Sequence, residues 1–369
     1  MLDGRTDQTD CRYYSAVNSM NPAAQLDAQQ LVTAVRQMHE AIRQQVVSAC
    51  ETRSIEDLSG VTECSSAETD TIYQIDRVGG QELLDFVAAE IADLGPVIVI
   101  GEGIDGGHVV CPEGTPASKA HWRIIVDPID GTRGLMFQKR SAWILTGIAP
   151  NHGDATTLGD IEAAVQTEIP LVKQHLCDQL WAVRGQGAQG VRWNRVTGES
   201  YLLKINPSRA VTLLHGYATV CRFFPGARDV LAAIDDELAT RLLGPRKTGD
   251  AHVFEDQYSC TGGQLYGLML GQDRLVADLR PLTRQTLEAR GEALGHCCHP
   301  YDICTALIAE EAGIVVHGAD GKPLAYPLDT TTNVTWVGYA NQTLAQEIEP
   351  VLEEILRERG WLAHSIHAV

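Results

Sequence analysis

Two aspartates three positions apart are the residues of this sequence that most clearly suggest chemistry. Asp127 and Asp130 stand in the string DPIDGT, residues 127–132, directly after the apolar run Ile124–Val126. Two carboxylates held this close repel each other unless a cation lies between them. Their oxygens suit a divalent cation, and the N–H groups of the following turn can bind an anion. The alternative is an ordinary surface turn, because Asp-Pro and Asp-Gly are common turn pairs.

The apolar run before the aspartates predicts a rigid support for them. A run of β-branched residues such as Ile124, Ile125 and Val126 is typical of a buried strand. Pro128 cannot donate to a sheet ladder, so we expect the strand to end there. Gly131 then permits a tight turn and a close approach of a ligand to the backbone. Both carboxylates are therefore predicted to project from a strand end.

Three more acidic residues stand where a predicted element begins or ends. Glu102 lies between two glycines after a short buried strand predicted over 96–100. Asp302 precedes an apolar helix predicted over 303–312, and Asp76 precedes a helix predicted over 81–94. Each of these two aspartates is equally explained as a helix cap. A glutamate between glycines is ordinarily a loop residue.

The string DPIDGT after an apolar strand, with an aromatic-rich segment following, resembles the signature of the inositol monophosphatase family. That family belongs to a superfamily of metal-dependent, lithium-sensitive phosphatases, with fructose-1,6-bisphosphatases and 3'(2'),5'-bisphosphate nucleotidases. Asp76 resembles the second aspartate of the motif D-x-V-T-x-x-D, and Glu102 the first glutamate of G-E-E/G. Asp302, with Glu-Ala-Gly at 311–313, resembles W-D-x-A-A-G…E-A-G-G. The resemblance covers most of the chain from about residue 65 to 345.

The resemblance implies an α/β (α+β) fold, a layered αβαβα sandwich of the sugar phosphatase type with two lobes. We expect a loose, polar N-terminal arm over residues 1–22. An N-terminal α+β lobe over 23–206 would carry most metal ligands. A C-terminal α/β lobe over 207–369 would carry Asp302 and substrate contacts.

The pattern along the chain predicts the elements of these lobes. Apolar periodicity indicates helices and β-branched runs indicate strands. The predicted helices are 22–52, 81–94, 229–243, 265–270, 303–312 and 342–359. The predicted strands are 71–75, 96–100, 142–149, 161–170, 179–183, 211–220 and 334–339.

The resemblance also implies a set of site residues. Two or three Mg²⁺ ions, for which Mn²⁺ could substitute, would be bound by Glu102, Asp127, the Ile129 carbonyl, Asp130 and Asp302. Asp127 would bridge two ions, and Glu102 and Thr132 would orient the attacking water while Asp76 holds the Thr132 hydroxyl. Phosphate and substrate would contact Asp130, Gly131, Thr132, Ser259, Cys260 and Thr261. For the last three, a simple helix cap is the alternative explanation.

Several positions depart from the family pattern. Tyr301 replaces the usual tryptophan, and Gly103 the commoner second glutamate. The acidic residue that binds inositol hydroxyls in the family would fall near Gly295, and Glu292 is the nearest candidate. That departure argues against inositol monophosphate itself as substrate.

Two segments carry alternatives. Arg280, Arg284 and Arg290 are either a solvated helix face, which we favour, or a site for a second anionic group of the substrate. The glycines of Gly185–Gly190 resemble a G-x-G-A turn of the family. A dinucleotide-binding loop is disfavoured there, because no strand–helix–strand context with a following acidic residue is evident.

Bulk properties exclude several classes of function. The chain has 369 residues, a formal net charge of −19 and a pI near 5.0, which argues against nucleic-acid polymers and anionic membranes as partners. Its ten cysteines form no C-x-x-C pair, which predicts reduced, mostly buried thiols and a cytoplasmic location. We see no signal peptide and no apolar run approaching the roughly 18–20 residues of a membrane span.

We therefore expect Mg²⁺-dependent hydrolysis of a phosphate monoester of a small sugar or polyol, a phosphoric monoester hydrolase activity. A 3'(2'),5'-bisphosphate nucleotidase is the alternative, favoured by Arg133-Gly134 after the signature and by chain length. A catalytically silent ligand-binding relative is the third reading, against which the intact carboxylate set argues. The partner would be a small phosphorylated metabolite. The family commonly forms homodimers, which nothing in the sequence itself indicates.

Overall fold

The N-terminal layer of the computed structural model is helical; the structure describes residues 22–63 and 72–363. Its elements are helix α1 (Pro22–Thr52), helix α2 (Ile55–Leu58), strands β1 (Val61–Glu63) and β2 (Ile72–Tyr73), and helix α3 (Gln74–Phe86). The prediction for α1 is confirmed, and its apolar face is buried through Leu31, Val35 and Ile42. The predicted arm over residues 1–22 lies outside the described residues, except for Pro22.

Helix α3 begins earlier than its sequence pattern suggests. The expected strand through Ile75 is wrong, because the strand stops at Tyr73 and Gln74 is already helical. The Asp76 carboxylate accepts a hydrogen bond of 2.7 Å from the Tyr73 N–H, in the position of a capping-box acid. Asp76 is thus the third residue inside the helix rather than its N-cap. Helical turns continue from Val87 to Leu94, where the predicted helix was to end.

Eight strands form the larger sheet. They are β3 (Val97–Gly101), β4 (His108–Cys111), β5 (Trp122–Asp130), β6 (Ala142–Pro150), β7 (Ala163–Ile169), β8 (Leu176–Val183), β9 (Ala188–Asn194) and β10 (Ser200–Leu202). Their order across the sheet is β10-β9-β8-β7-β6-β5-β3-β4. The pair β3–β5 is parallel, whereas the other neighbouring pairs are antiparallel. The carboxyl ends of β3 and β5 therefore lie side by side at the same end of the sheet.

A second sheet of five strands follows. Its strands are β11 (Gly216–Val220), β12 (Val253–Phe254), β13 (Asp273–Asp278), β14 (Val315–His317) and β15 (Trp336–Tyr339), in the order β12-β11-β13-β15-β14. The accompanying helices are α4 (Thr132–Met136), α5 (Arg228–Leu243), α6 (Thr261–Met269), α7 (Arg284–Ala289), α8 (Pro300–Ile303), α9 (Ala306–Glu311) and α10 (Gln342–Glu358). Sequence periodicity predicts α5 and α10 to within one residue at either end, but it misses β12, β13 and β14.

Alternating side chains of the larger sheet fill two separate cores. Along β5, Ile124 and Val126 face α1 and α3, whereas Ile125 faces the helices between the two sheets. Helices α6, α8 and α9 form that middle layer, and α5 and α10 cover the outer face of the smaller sheet. The order of layers is helix, sheet, helix, sheet, helix, so the predicted αβαβα sandwich is confirmed.

The predicted lobe boundary near Pro207 falls between the two sheets. The larger sheet ends at Leu202 and the smaller one begins at Gly216. Because the middle helices pack on both sheets, the division into lobes at 206 and 207 stays a prediction.

A buried histidine joins α1 to the larger sheet. The His39 ring nitrogens lie 2.8 Å from Thr146 Oγ1 on β6 and 2.9 Å from Thr167 Oγ1 on β7. Burial, with the nearby Arg43, lowers the pKa of His39 from 6.5 to about 3. The imidazole is therefore neutral at physiological pH, and it fixes the register of the helix on the sheet.

The glycine-rich turn before β9 binds an acidic side chain. The N–H groups of Gly185 and Gly187 each donate a hydrogen bond of 2.7 Å to the Glu311 carboxylate at the end of α9. Both glycines have positive φ angles, which a nest of this kind requires. These donors are thus occupied by the protein itself, in line with the sequence argument against a dinucleotide loop.

Two findings bear on the bulk predictions. The eight cysteines in the described ranges form no disulfide, and seven of them are buried. Across the same ranges, no helix combines the length and the apolar character needed to cross a bilayer.

Candidate metal and phosphate site

The end of β5 carries the two aspartates of the DPIDGT string. The strand does not stop at Pro128, as the sequence predicted; it runs on to Asp130 through a β-bulge. A bulge leaves one residue without a ladder partner, so it can accommodate a proline that has no N–H. Asp127 pairs with Leu145 and Asp130 with Trp143 of β6. The Ile129 N–H donates to Asp127 Oδ1 over 2.9 Å, which fixes that carboxylate.

Glu102 reaches the same place from the neighbouring strand. Gly101 at the end of β3 pairs in parallel with Val126 of β5. Glu102 directly follows Gly101, and Asp127 directly follows Val126. The two acidic residues therefore lie at the same end of two neighbouring strands. Glu102 lines the cleft that the aspartates occupy, and its charge raises the pKa of Asp127.

Asp302 joins the two aspartates from the middle layer. It lies in the first turn of α8, where its Oδ2 accepts a hydrogen bond of 2.6 Å from the His299 N–H. Carboxylate oxygens of Asp127, Asp130 and Asp302 all lie within 4.8 Å of one another, and all three residues are buried. The hydrogen bond from His299 explains why Asp302 lies at the start of α8. It does not explain why the carboxylates of Asp127, Asp130 and Asp302 lie so close together.

The electrostatics of this cluster indicate a cation site. Burial, then the charges of Asp130, Glu102 and Asp302, hold the pKa of Asp127 well above its usual value. Burial and then Asp302 raise the pKa of Asp130 to about 7. Within residues 22–63 and 72–363, no lysine or arginine pairs with these three carboxylates, and His299 Nδ1 lies 3.7 Å from Asp302 Oδ2. A purely oxygen donor set fits a hard divalent cation such as Mg²⁺.

The turn after β5 presents backbone and hydroxyl groups beside the acids. Gly131 has a φ of +93°, and a Cβ there would meet Cys260 Sγ at 2.9 Å, so the position requires glycine. The Thr132 hydroxyl lies 2.8 Å from both Asp76 Oδ1 and the Ile129 carbonyl oxygen, and its single proton can be donated to either. Asp76 thus caps its own helix with one oxygen and contacts Thr132 with the other.

The start of α6 closes the cleft on the side of the second sheet. The helix begins at Thr261, four residues before the predicted start, so Gly262 and Gly263 lie inside it. The Gly262 N–H donates a hydrogen bond of 2.6 Å to Asp130 Oδ2, and Cys260 Sγ lies 3.2 Å from the same oxygen. The helix N-terminus therefore holds Asp130 in place.

These residues line one cleft with an empty volume of about 510 Å³. Apart from Asp76, which contacts Thr132 from behind, every residue that the sequence predicted for the site lines this cleft. They are Glu102, Asp127, Ile129, Asp130, Gly131, Thr132, Ser259, Cys260, Thr261 and Asp302.

The three arginines Arg280, Arg284 and Arg290 have different environments. Arg280 is buried, pairs with Asp278 and lines the cleft, so the favoured explanation, a solvated helix face, is wrong for this residue. Arg284 and Arg290 are exposed, and Arg290 pairs with Asp229 on the surface. Glu292, the nearest candidate for the substrate-binding acid of the family, is also exposed and is absent from the cleft lining.

Sequence reasoning missed part of the cleft wall. Phe223 and Phe224 follow the end of β11, and His296 precedes α8; all three line the cleft, together with Cys297, Cys298 and Tyr301. Two adjacent phenylalanines, three and four residues after the end of the predicted strand 211–220 and directly before Pro225, were the available signal. Nothing in the sequence around His296 indicates a role.

Solved structures share this architecture, although no protein-family model and no curated protein sequence matches the chain. A Leishmania major fructose-1,6-bisphosphatase is 14% identical with a TM-score of 0.62, over 92% of this chain and 96% of that one. The suppressor protein SuhB of Bartonella henselae is 15% identical with a TM-score of 0.57, over 88% and 98%. The MJ0109 gene product, an inositol monophosphatase–fructose 1,6-bisphosphatase, is 16% identical with a TM-score of 0.57, over 86% and 98%. The chain thus has the fold of these proteins along almost its full length.

Proposed function

We propose that this protein is a phosphoric monoester hydrolase that uses Mg²⁺ to hydrolyse the phosphate ester of a small sugar or polyol. The observation that supports it best is the convergence of Asp127, Asp130 and Asp302 within 4.8 Å, beside the Gly131 turn. The shared fold supports it further, since two of the similar structures bear the names of phosphatases. At 14–16% identity, that likeness by itself concerns only the fold.

The chain offers a complete set of oxygen ligands. Glu102, Asp127 and the Ile129 carbonyl would hold one ion, and Asp127, Asp130 and Asp302 another, with Mn²⁺ as a substitute metal and a third ion as an option. When bound, these ions would neutralise the phosphate, acidify a water and support the leaving oxygen. Their charge would also remove the repulsion that raises the pKa of Asp127 and Asp130.

The protein groups beside the metal ligands would position the reactants. The N–H groups of Gly131 and Thr132, at the start of α4, would donate hydrogen bonds to phosphate oxygens. The Thr132 hydroxyl, held by Asp76, and the Glu102 carboxylate would orient the attacking water. Ser259, Cys260 and Thr261 would contact the organic part of the substrate from the opposite side.

A 3'(2'),5'-bisphosphate nucleotidase is the second candidate function. The aromatic rings of Phe223 and Phe224 on the cleft wall favour it, because bases stack well on such rings. Adenosine 3',5'-bisphosphate would then be hydrolysed faster than inositol or fructose phosphates.

The experiment is a phosphate-release screen over sugar, polyol and nucleotide phosphates, with and without Mg²⁺. We expect activity that requires Mg²⁺ or Mn²⁺, is removed by EDTA and is inhibited by Li⁺. Failure to hydrolyse any phosphate ester in the presence of Mg²⁺ and Mn²⁺ would contradict the proposal and favour a catalytically silent ligand-binding relative. Homodimerisation and a cytoplasmic location stay predictions of the resemblance and of the cysteine pattern.

A further inference from the structure

A glutamine on strand β7 is completely buried between the larger sheet and the middle helices. Gln166 is 0% exposed, and its neighbours across the sheet are Leu145 on β6 and Leu180 on β8. Both leucines belong to the core between the two sheets. An amide in such apolar surroundings is unfavourable unless its oxygen and its nitrogen both form hydrogen bonds. The partners of this side chain therefore indicate what it does there.

The amide of Gln166 connects two segments of the middle layer. Its Nε2 donates a hydrogen bond of 2.8 Å to the carbonyl oxygen of Gly262, in the first turn of α6. Its Oε1 accepts a hydrogen bond of 2.9 Å from the hydroxyl of Thr305, which lies between α8 and α9 and is also fully buried. The two partners are 96 and 139 positions away along the chain. One side chain of the sheet thus fixes two segments that are distant in sequence.

Both segments are joined to carboxylates of the candidate metal site. The Gly262 N–H donates a hydrogen bond of 2.6 Å to Asp130 Oδ2, while the Gly262 carbonyl oxygen accepts the bond from Gln166. Thr305 lies two positions beyond the end of α8, the short helix that carries Asp302. A continuous set of contacts therefore runs from Asp130 through Gly262, Gln166 and Thr305 to the segment of Asp302.

Close approaches at two glycines let these segments lie directly on β6. A Cβ on Gly262 would lie 2.7 Å from Leu145 Cδ2, and a Cβ on Gly147 would lie 2.9 Å from the Cys304 carbonyl oxygen. The segments therefore cannot move further toward the sheet. They can move along it or away from it, and the two hydrogen bonds of Gln166 oppose that movement.

The metal site needs such a restraint. Without a cation, the carboxylates of Asp127, Asp130 and Asp302 repel one another, and this repulsion acts to separate Asp302 from the two strand residues. Mg²⁺ requires near-octahedral geometry with oxygen ligands at about 2.0–2.1 Å, so a small displacement of one ligand weakens binding. Ligands from two layers must therefore be held together before the ion binds.

We propose that Gln166 is a positioning residue of the metal site, which keeps Asp130 and Asp302 at the spacing that one divalent ion requires. It is absent from the cleft lining, so it acts through Gly262 and Thr305 rather than by contact with ion or substrate. The inference rests on the proposed metal-dependent function and concerns the ion that Asp130 and Asp302 would share.

The test measures Mn²⁺ binding to the metal-free, full-length protein without substrate, by the electron paramagnetic resonance signal of free Mn²⁺. Gln166→Met keeps an unbranched side chain of similar length and removes both hydrogen bonds. We expect the Kd of one bound Mn²⁺ ion to rise by about 10- to 100-fold, the usual effect of losing a group that orients a metal ligand.

Thr305→Val removes only one of the two hydrogen bonds, so we expect a smaller rise of the same Kd. The double variant Gln166→Met/Thr305→Val should bind Mn²⁺ about as tightly as Gln166→Met, because the threonine acts through the same amide. In the phosphatase assay, Gln166→Met should need more Mg²⁺ for half-maximal activity. Saturating Mg²⁺ should restore most of kcat, since the residue does not contact the substrate.

Gln179→Met is the matched control. Gln179 on β8 is 3% exposed; its Oε1 accepts a hydrogen bond of 2.8 Å from Arg36 Nε, and its Nε2 donates to Thr167 Oγ1 over 3.1 Å. This amide lies on the opposite face of the sheet, against α1, and away from the carboxylates. Both variants should lower the melting temperature, but only Gln166→Met should weaken Mn²⁺ binding.

The outcomes separate this inference from the phosphatase proposal. Unchanged Mn²⁺ affinity in Gln166→Met, with folding verified by circular dichroism, overturns the positioning role and leaves the phosphatase function intact. Equal losses of affinity in Gln166→Met and Gln179→Met overturn it as well, because a general loss of stability would explain both. If Gln166→Met does not fold, Thr305→Val decides in its place, and unchanged affinity there overturns the inference.

Two further results concern the proposed function itself. Wild-type protein that binds Mn²⁺ but hydrolyses no phosphate ester contradicts the phosphatase proposal alone, and the binding measurements still decide the role of Gln166. Wild-type protein that binds no Mn²⁺ overturns both proposals.

Discussion

At the scale of single residues, the site combines groups that destabilise one another in the absence of a cation. Three buried carboxylates lie within 4.8 Å, and burial and mutual repulsion raise the pKa of Asp127 and Asp130. Such an arrangement is unfavourable for the metal-free fold and favourable for ion binding. Binding of a cation at these carboxylates would therefore stabilise the fold.

The first prediction concerns Asp127→Asn. Removing the bridging charge should lower kcat by at least about 10³-fold, because metal and water positioning are both lost. Wild-type protein should gain about 2.7 kcal/mol of unfolding free energy at Mg²⁺ concentrations near 100 times Kd, and the variant should lose most of this gain. Thermal unfolding with EDTA and with Mg²⁺ measures it. A folded variant with wild-type turnover would contradict the bridging role.

The second prediction concerns the hydroxyl of Thr132, which lies 2.8 Å from Asp76 Oδ1. Thr132→Val preserves the shape and removes the hydroxyl, and we expect kcat to fall by about 10²-fold or more. Thr132→Ser keeps the hydroxyl and should stay within about tenfold of wild type. Steady-state kinetics with saturating Mg²⁺ distinguish the two; equal losses of kcat in both variants would show that the hydroxyl is not the decisive group.

At the scale of elements, sequence periodicity predicts the helices that bury one apolar face. The helices α1, α5 and α10 match their predicted bounds closely, because their pattern is local. Strand β13 was missed because its polar residues have distant partners: Arg274 donates to the carbonyl oxygens of Thr212 and Leu214, about sixty residues earlier. Arg280 was misjudged for the same reason, since its burial depends on Phe223 from another strand end.

The third prediction concerns the contact between α1 and the larger sheet. The unfolded chain takes up a proton at His39 below about pH 6.5, whereas the folded protein does so only near pH 3. Stability should therefore fall as pH decreases through this window, by up to about 1.4 kcal/mol per pH unit from this residue. Urea unfolding between pH 6.5 and 4.5 measures the slope.

His39→Gln should be less stable than wild type at pH 7 and should show a shallower dependence on pH. The exposed His175→Gln variant is the control and should keep the wild-type slope. Equal slopes in wild type and His39→Gln would show that the buried ring is not responsible.

At the scale of the whole molecule, the proposed ligands come from different layers. Asp127 and Asp130 belong to the larger sheet, and Asp302 to the helices between the sheets. The sequence motifs predicted which residues would line the cleft, because their order along the chain resembles a known family. They could not predict the aromatic and cationic wall, which depends on how the smaller sheet packs against the middle layer.

The fourth prediction follows from this arrangement. Mg²⁺ should slow hydrogen exchange in α8 and in the turn of Gly131 and Thr132, because the ion would tie both to one centre. Helix α10, on the far side of the smaller sheet, should exchange at the same rate with and without metal. In Asp302→Asn the effect on α8 should vanish. If Mg²⁺ slowed hydrogen exchange equally in α8, in the Gly131–Thr132 turn and in α10, an ion that connects only the first two would be contradicted.

The bulge in β5 determines the direction of the two acids. Neighbouring side chains on an extended strand point to opposite faces, so residues three positions apart normally face away from each other. Their partners on β6, Leu145 and Trp143, are two positions apart and share the buried face toward the middle helices. The bulge places three residue steps on β5 opposite two on β6. The side chains of Asp127 and Asp130 therefore point to the same face of the sheet. Any variant that restores regular pairing there would send one of these aspartates into the opposite core.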